Sequence, residues 1–279
     1  MNSENSINDI RRILIALDAS PASQAALELA ADLAIRYQAE LIGIYVEDIN
    51  LLRSAEIPFT QEVGFYSASS RQIDISHIER ELRAHARRVE QLLASIAQRV
   101  NLRWSFRTVR GLIPGELMSA AADTDLIILG KTGWSGGTRI GSTAREVAVR
   151  SPIQSLILVH KVCPGSPIMV VYDGSPASQK ALIAARRISS PESILTILVL
   201  AETKGEAEQL QAQVQARLQE DEINVDFHWV TNIQGDRISQ LALNSGCDIV
   251  VLPTKSGRFE AENLVAMLDE ADCAVLLVR

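Results

Sequence analysis

A glycine-rich segment follows a short aliphatic run near the middle of the chain. It reads Gly130-Lys131-Thr132-Gly133-Trp134-Ser135-Gly136-Gly137-Thr138-Arg139-Ile140-Gly141-Ser142-Thr143-Ala144, directly after Leu126–Leu129. Phosphate oxygens bind main-chain N–H donors at close approach, and glycine permits that approach. A helix predicted from Thr143 to Arg150 would add N–H groups and a favourable dipole at its start, where Ser142 and Thr143 supply hydroxyl groups. The segment therefore predicts a phosphate-binding loop; the alternative is a surface turn that binds nothing.

Two common phosphate loops do not describe this segment. Gly130-Lys131-Thr132 resembles the end of a Walker A motif, but Asp125 stands where that motif requires its first glycine. The chain also has no G-x-G-x-x-G sequence. Neither a P-loop nor a dinucleotide fingerprint is indicated.

The string Ser-Pro-Ala-Ser-Gln occurs twice, at Ser20–Gln24 and Ser175–Gln179. Each copy follows an aliphatic run that ends in an aspartate, Asp18 or Asp173. Two copies about half a chain apart indicate a duplicated domain. We therefore predict one domain over residues 1–160, a linker over 161–167 and a second domain over 168–279 of the 279-residue chain.

Apolar runs of strand length alternate with stretches of helical period in both halves. Strands are predicted at 13–17, 40–46, 102–109, 126–129, 155–159, 168–172, 194–200, 225–230, 248–252 and 274–278, and helices at 22–37, 74–99, 116–122, 143–150, 177–188, 204–219, 236–245 and 261–270. Residues 47–73 show no clear period and are interpreted as a long loop with a short helix. The alternation predicts two tandem Rossmann-like or flavodoxin-like α/β domains, each a five-stranded parallel sheet with helices on both faces. Ligands of such sheets bind at the carboxyl ends of the strands, where the glycine-rich segment begins.

The second half lacks an equivalent glycine-rich loop. Its corresponding segment, Pro253–Asn263, has one glycine and carries Glu260 and Glu262 near the position of the expected phosphates. Like charges there oppose phosphate binding. We predict that the second half does not bind phosphate ligands in the manner of the first.

Composition excludes several classes of function. A net charge of −7 and a pI near 5.2 argue against a nucleic-acid-binding surface. No apolar run is long enough for a membrane-spanning helix, and residues 1–12 do not read as a signal peptide. Three cysteines without a Cys-x-x-Cys pair fit a reducing compartment, so we expect a cytoplasmic protein with no membrane partner.

No catalytic or metal-binding motif is present. The four histidines are dispersed, and His77 and His85 fall on a charged helix where we expect them to be exposed to solvent. Neither H-E-x-x-H nor G-x-S-x-G occurs. We therefore assign no catalytic residue and no metal ligand, and we expect any hydrolysis of a bound ligand to be slow.

Several motifs together resemble the universal stress protein family in a tandem two-domain form, over nearly the whole chain. They are Asp18 with Ser20, the strand end Tyr45–Asp48, Gly111-x-x-Pro114, Gly130-x-x-Gly133 and Gly141-Ser142. ATP-binding members of the family carry G-x2-G-x9-G-[S/T]. Here the second gap is seven residues instead of nine.

The resemblance implies an adenine-nucleotide site in the first half. Asp18 and the main chain near Val46 would hold the adenosine end, with Ala16, Leu17 and Ser20 beside them. The phosphates would be held by Gly130, Gly133, Gly141, Ser142 and Thr143. The expected ligand is ATP, ADP or AMP, with or without Mg²⁺.

The resemblance also implies a stress-response protein that acts as a nucleotide-dependent binding or signalling module. We expect a homodimer, since the aliphatic final strand of each half can pair edge to edge with another copy. We also expect the two halves of each chain to form an internal pseudo-dimer. Two alternatives stay open. One is a slow ATPase or adenylyl-transferring enzyme, and the other is a dimeric scaffold that binds no nucleotide.

Overall fold

The computed structural model describes residues 10–57, 61–63, 70–72, 75–133, 139–150, 155–159, 167–189, 193–218, 223–231, 235–254 and 261–279. In the first half the strands are β1 (Arg12–Ala16), β2 (Glu40–Asp48), β3 (Gln61–Val63), β4 (Ser70–Gln72), β5 (Trp104–Gly111), β6 (Leu126–Gly130) and β7 (Ser155–Val159). The helices are α1 (Pro21–Tyr37), α2 (Ile49–Glu56), α3 (Ile75–Arg99), α4 (Ile113–Ala121) and α5 (Ser142–Arg150). The second half contains β8 (Ile168–Tyr172), α6 (Pro176–Ile188), β9 (Ile194–Leu200), α7 (Lys204–Leu218), β10 (Asn224–Val230), α8 (Gly235–Asn244), β11 (Ile249–Pro253), α9 (Ala261–Glu270) and β12 (Ala274–Val278).

One sheet of ten strands runs through both halves, in the order β10-β9-β8-β11-β12-β7-β6-β1-β2-β5. Within each half the strands of this sheet are parallel, and the first strand lies at the centre, with β1 between β2 and β6 and β8 between β9 and β11. The halves meet at β7 and β12, which pair antiparallel from Val275 opposite Leu158 to Val278 opposite Ser155. The final strands were expected to pair with those of another copy, but here they pair with each other within one chain.

The repeated Ser-Pro-Ala-Ser-Gln string forms the start of a helix in both halves. The Ser20 hydroxyl accepts a hydrogen bond from the Ser23 N–H at 3.2 Å, and Pro21 occupies the first turn of α1. Ser175 caps α6 in the same way, at 3.1 Å from the Ser178 N–H. A serine N-cap followed by proline suits a helix start, because the cap satisfies a free N–H group and proline has none to satisfy. The repeat thus encodes a local structure that needs no ligand.

Two buried clusters of aliphatic side chains cover the two faces of the sheet. The first contains Ile13, Leu33 and Leu41 together with Val170 and Ile197 of the second half. The second cluster likewise draws residues from both halves, among them Leu14 and Met169. Adjacent residues of β1 contribute to different clusters, as expected for a strand that is buried on both faces.

The segment 47–73 differs in part from the predicted loop. The short helix is present as α2, but β3 and β4 form a small antiparallel ladder where no strand was predicted. Each of these strands has only three residues, which is too short for an alternating pattern to be recognised. The predicted linker lies outside the described residues except for Pro167, so the domain boundaries stay a prediction. Across the described part of the chain, no helix combines the length and apolar character needed to span a membrane.

Candidate functional site

A cavity of about 480 Å³ opens at the carboxyl ends of β1, β2 and β6. The N-terminus of α5 lines this cavity, and α3 and α4 contribute apolar side chains to its wall. Nine of the ten residues predicted for the nucleotide site line it: Ala16, Leu17, Asp18, Val46, Gly130, Gly133, Gly141, Ser142 and Thr143. The fold thus brings together residues that are up to 127 positions apart in the sequence (16 to 143).

The tenth predicted residue, Ser20, is placed differently. Its side chain is fully buried and caps α1, and it is not among the residues that line the cavity. Its N–H donates to Oδ1 of Asp18 at 2.9 Å. Ser20 therefore shapes the turn that carries Asp18.

Asp18 faces the glycine-rich loop. A Cβ atom placed on Gly133 would lie 3.8 Å from Oδ2 of Asp18. The turn that presents this carboxylate includes Ala19 at φ 62°, in the left-handed region that non-glycine residues rarely adopt. The carboxylate is thus held at the cavity wall by a tight turn between β1 and α1.

The three described glycines of the loop serve different purposes. A Cβ atom on Gly130 would lie 3.0 Å from main-chain atoms of Ala22 and Ser23, so Gly130 lets β6 pass close to the start of α1. A Cβ atom on Gly141 would make only ordinary contacts, 3.6 Å from the carbonyl oxygen of Lys131 and 3.7 Å from the nitrogen of Gly133. Close packing against α1 therefore accounts for the glycine at position 130. At positions 133 and 141 the neighbouring atoms leave space for a side chain, and this space belongs to the cavity.

The first turn of α5 adds donors beside these glycines. Ser142 and Thr143 line the cavity at the helix start, where main-chain N–H groups lack partners within the helix. The helix dipole makes this end partly positive. Residues 134–138 of the predicted loop lie outside the described residues.

Several lining residues were not predicted from the sequence. They are Ser23, Ile44, Tyr45, Asp48, Leu51, Leu82, His85, Ile113, Leu117, Leu129, Lys131, Thr132 and Ala144. His85 corrects an expectation, because it is half-buried at the cavity and not fully exposed on a charged helix face. Its position three residues after the buried Leu82 and four before the buried Val89 was the available signal, since these spacings share one helix face.

Buried polar groups hold the end of β2 in place beside the cavity. Burial raises the pKa of the Tyr45 phenol to about 12, with smaller contributions from the carboxylates of Glu47 and Asp18. The phenol is therefore protonated at neutral pH. Glu47 is 7% exposed, and its Oε2 accepts a hydrogen bond from Nε of Arg110 in β5 at 2.9 Å and forms an ion pair with Nη2 of the same residue at 2.8 Å. This pair fixes β2 against β5 next to Val46 and Asp48.

Comparison with known proteins places the chain in a family. The model of the universal stress protein family matches residues 9–160, which is more than half of the chain. A search of curated protein sequences gives no match.

Solved structures show the same architecture over almost the full length. A universal stress protein from Archaeoglobus fulgidus DSM 4304 is 14% identical, with 96% of this chain and 98% of that chain covered and a TM-score of 0.71. A functionally unknown protein from Pseudomonas aeruginosa PAO1 is also 14% identical, with coverages of 98% and 94% and a TM-score of 0.60. The cytoplasmic domain of a prokaryotic cation chloride cotransporter is 10% identical, with coverages of 96% and 95% and a TM-score of 0.53.

At such low identities the solved structures establish the fold alone. The assignment to a family rests on the family model, which matches the first half of the chain. This chain belongs to the universal stress protein family.

Proposed function

We propose that the chain binds ATP or a related adenine nucleotide in the first-half cavity and acts as a nucleotide-dependent binding or signalling module in a stress response. One observation carries the proposal. Nine residues chosen from sequence motifs line a single cavity at the carboxyl ends of parallel strands, which is where open α/β sheets bind their ligands.

The apolar lining of the cavity suits an adenine base. Leu82, Ile113 and Leu117 provide aliphatic walls, and the carboxylate of Asp18 can accept hydrogen bonds from ligand hydroxyl or amino groups. The volume of about 480 Å³ lies within the range of small-molecule sites. Base and sugar can therefore be buried together.

The part of the cavity formed by the loop glycines and the start of α5, here called the phosphate end, suits phosphates. Gly133 and Gly141 allow oxygen atoms to approach the main chain, and Ser142 and Thr143 add donors at the partly positive end of α5. The carboxylates of Asp18 and Asp48 also line the cavity and would repel the phosphates. A Mg²⁺ ion bound with the nucleotide would offset this repulsion, since carboxylate and phosphate oxygens are its preferred ligands.

Titration calorimetry of Gly141→Ala with ATP tests the proposal. The added methyl group meets the protein only at ordinary contact distances, so we expect the fold to be unchanged. It would stand 3.7 Å from the nitrogen of Gly133, in space assigned to phosphate oxygens. We expect the dissociation constant for ATP to rise by about tenfold, which corresponds to about 1.4 kcal/mol.

Gly115→Ala is the matched control, because a Cβ atom at Gly115 in α4 would have nothing within 4 Å and Gly115 does not line the cavity. It should bind ATP as the wild type does. Absence of ATP binding by the wild type at millimolar concentration would contradict the proposal and favour a scaffold without nucleotide. Equal affinity of wild type and Gly141→Ala would contradict the assigned position of the phosphates.

A further inference from the structure

Lys131 is buried although it stands at the start of the glycine-rich loop. The residue is 1% exposed, and its ammonium group donates a hydrogen bond to the carbonyl oxygen of Ala271 in the second half. Burial lowers the pKa of Lys131, while the nearby carboxylates of Asp272 and Asp269 oppose that shift. An ammonium group removed from water needs such compensation.

Ala271 follows directly after α9, where helix carbonyl groups lack partners within the helix and the dipole is negative. A lysine from the first half therefore satisfies the carboxyl end of a helix from the second half. The contact serves both sides, because the ammonium group gains a partner and the carbonyl group gains a donor.

Two further contacts join α5 to the second half. Arg145 of α5 forms an ion pair with Asp269 of α9, with Nη2 2.7 Å from Oδ2. The guanidinium of Arg279, just after β12, donates to the carbonyl oxygen of Ala148 in α5. The helix whose start lines the cavity is thus attached to the second half along its length.

The main chain of Lys131 holds the loop itself. Its N–H donates to the carbonyl oxygen of Val159 at 2.7 Å, and its carbonyl oxygen accepts a hydrogen bond from the N–H of Gly141 at 2.9 Å. The second of these bonds brings the two described ends of the glycine-rich loop together. A residue whose side chain is anchored in the second half therefore sets the position of Gly141.

We propose that Lys131 is a positioning residue through which the second half holds the phosphate end of the cavity in its binding geometry. This inference rests on the proposed nucleotide site. Among the residues that the structure describes, those that line the cavity all precede residue 145, so in this part of the chain the second half acts on the ligand through the loop and α5. The part of the affinity that comes from the phosphates then depends on the second half, and the part that comes from adenosine does not.

The test compares ATP and adenosine binding to the full-length Lys131→Met variant. Methionine keeps a similar length but removes the donor to Ala271. We expect the ATP dissociation constant to rise by about tenfold, within the usual range of coupling between sites, and the adenosine dissociation constant to be unchanged. A general loss of structure would weaken both ligands, so this difference separates positioning from folding.

Lys204→Met is the control. The ammonium group of Lys204 on α7 pairs with Glu208 of the same helix at 3.6 Å, and Lys204 does not line the cavity. It should leave both affinities unchanged. If Lys131→Met does not fold, Arg145→Gln replaces it, because the Arg145 side chain is 46% exposed and its loss breaks the ion pair with Asp269. Arg145→Gln should weaken ATP binding and spare adenosine.

The outcomes separate this inference from the proposed function. A wild type that binds neither ligand refutes the nucleotide site itself. A wild type that binds ATP, together with a folded Lys131→Met that binds it equally well, overturns the positioning role alone. Equal losses of affinity for ATP and adenosine in Lys131→Met also overturn the positioning role. If Lys131→Met does not fold, unchanged ATP binding by Arg145→Gln overturns it.

Discussion

The double variant Gly133→Val/Gly141→Val should lose at least about a hundredfold in ATP affinity, or about 2.7 kcal/mol. Its two branched side chains would fill the space between Asp18, Lys131 and the loop main chain, because a Cβ atom at either position already points to atoms of the cavity wall. Phosphate oxygens could then no longer approach the main-chain N–H groups. Titration calorimetry with ATP measures the loss.

A matched double variant controls for the cost of valine in the fold. A Cβ atom at Gly115 or Gly205 would have nothing within 4 Å, and neither residue lines the cavity. Gly115→Val/Gly205→Val should therefore bind ATP with wild-type affinity. If the two double variants bind ATP equally well, the glycine pair does not hold the phosphates.

Matched substitutions in the turn after the first strand of each half should change the stability of the protein in opposite directions. Gly174 has φ 80°, and a Cβ atom there would lie 2.6 Å from Cδ2 of the buried Leu210. Gly174→Ala would place an alanine in the left-handed region and would also crowd the Leu210 side chain. We therefore expect it to lower the free energy of unfolding by about 2–4 kcal/mol.

The equivalent residue in the first half is Ala19, which already adopts φ 62°. Ala19→Gly relieves that strain but adds chain entropy to the unfolded state, so we expect a gain of less than about 1 kcal/mol. Urea unfolding of both variants measures the two changes. A stability loss in Ala19→Gly as large as that in Gly174→Ala would contradict the assignment of strain to this turn.

The elements of this fold were predictable from the sequence because their signals are local. Buried strands appear as aliphatic runs such as Ile168–Tyr172, and the Ser-Pro pairs mark helix starts that the structure confirms. The alternation of strands and helices then leaves few topologies, since parallel crossovers have one hand. The β3–β4 ladder was missed because its strands are too short to show a period.

Within the candidate site, motifs identified the residues on loops and strand ends but not those that approach from other elements. His85 and Leu82 reach the cavity from α3, and the charged sequence of this helix suggested that His85 is exposed. Position 130 requires glycine because the chain packs closely against Ala22 there, and no motif spacing in the sequence indicates this contact. The contact between Lys131 and Ala271 spans 140 residues, so it depends on the joining of the two halves.

The central claim is that an adenine nucleotide binds in the cavity of the first half and not in the second half. A crystal structure of the wild-type chain grown with ATP and Mg²⁺ tests it most directly. The account predicts one nucleotide per chain, with its phosphates at Gly133, Gly141 and Ser142 and its adenosine between Asp18 and Val46. A nucleotide bound beside Asp173 in the second half, or an empty first-half cavity at saturating ATP, would contradict it.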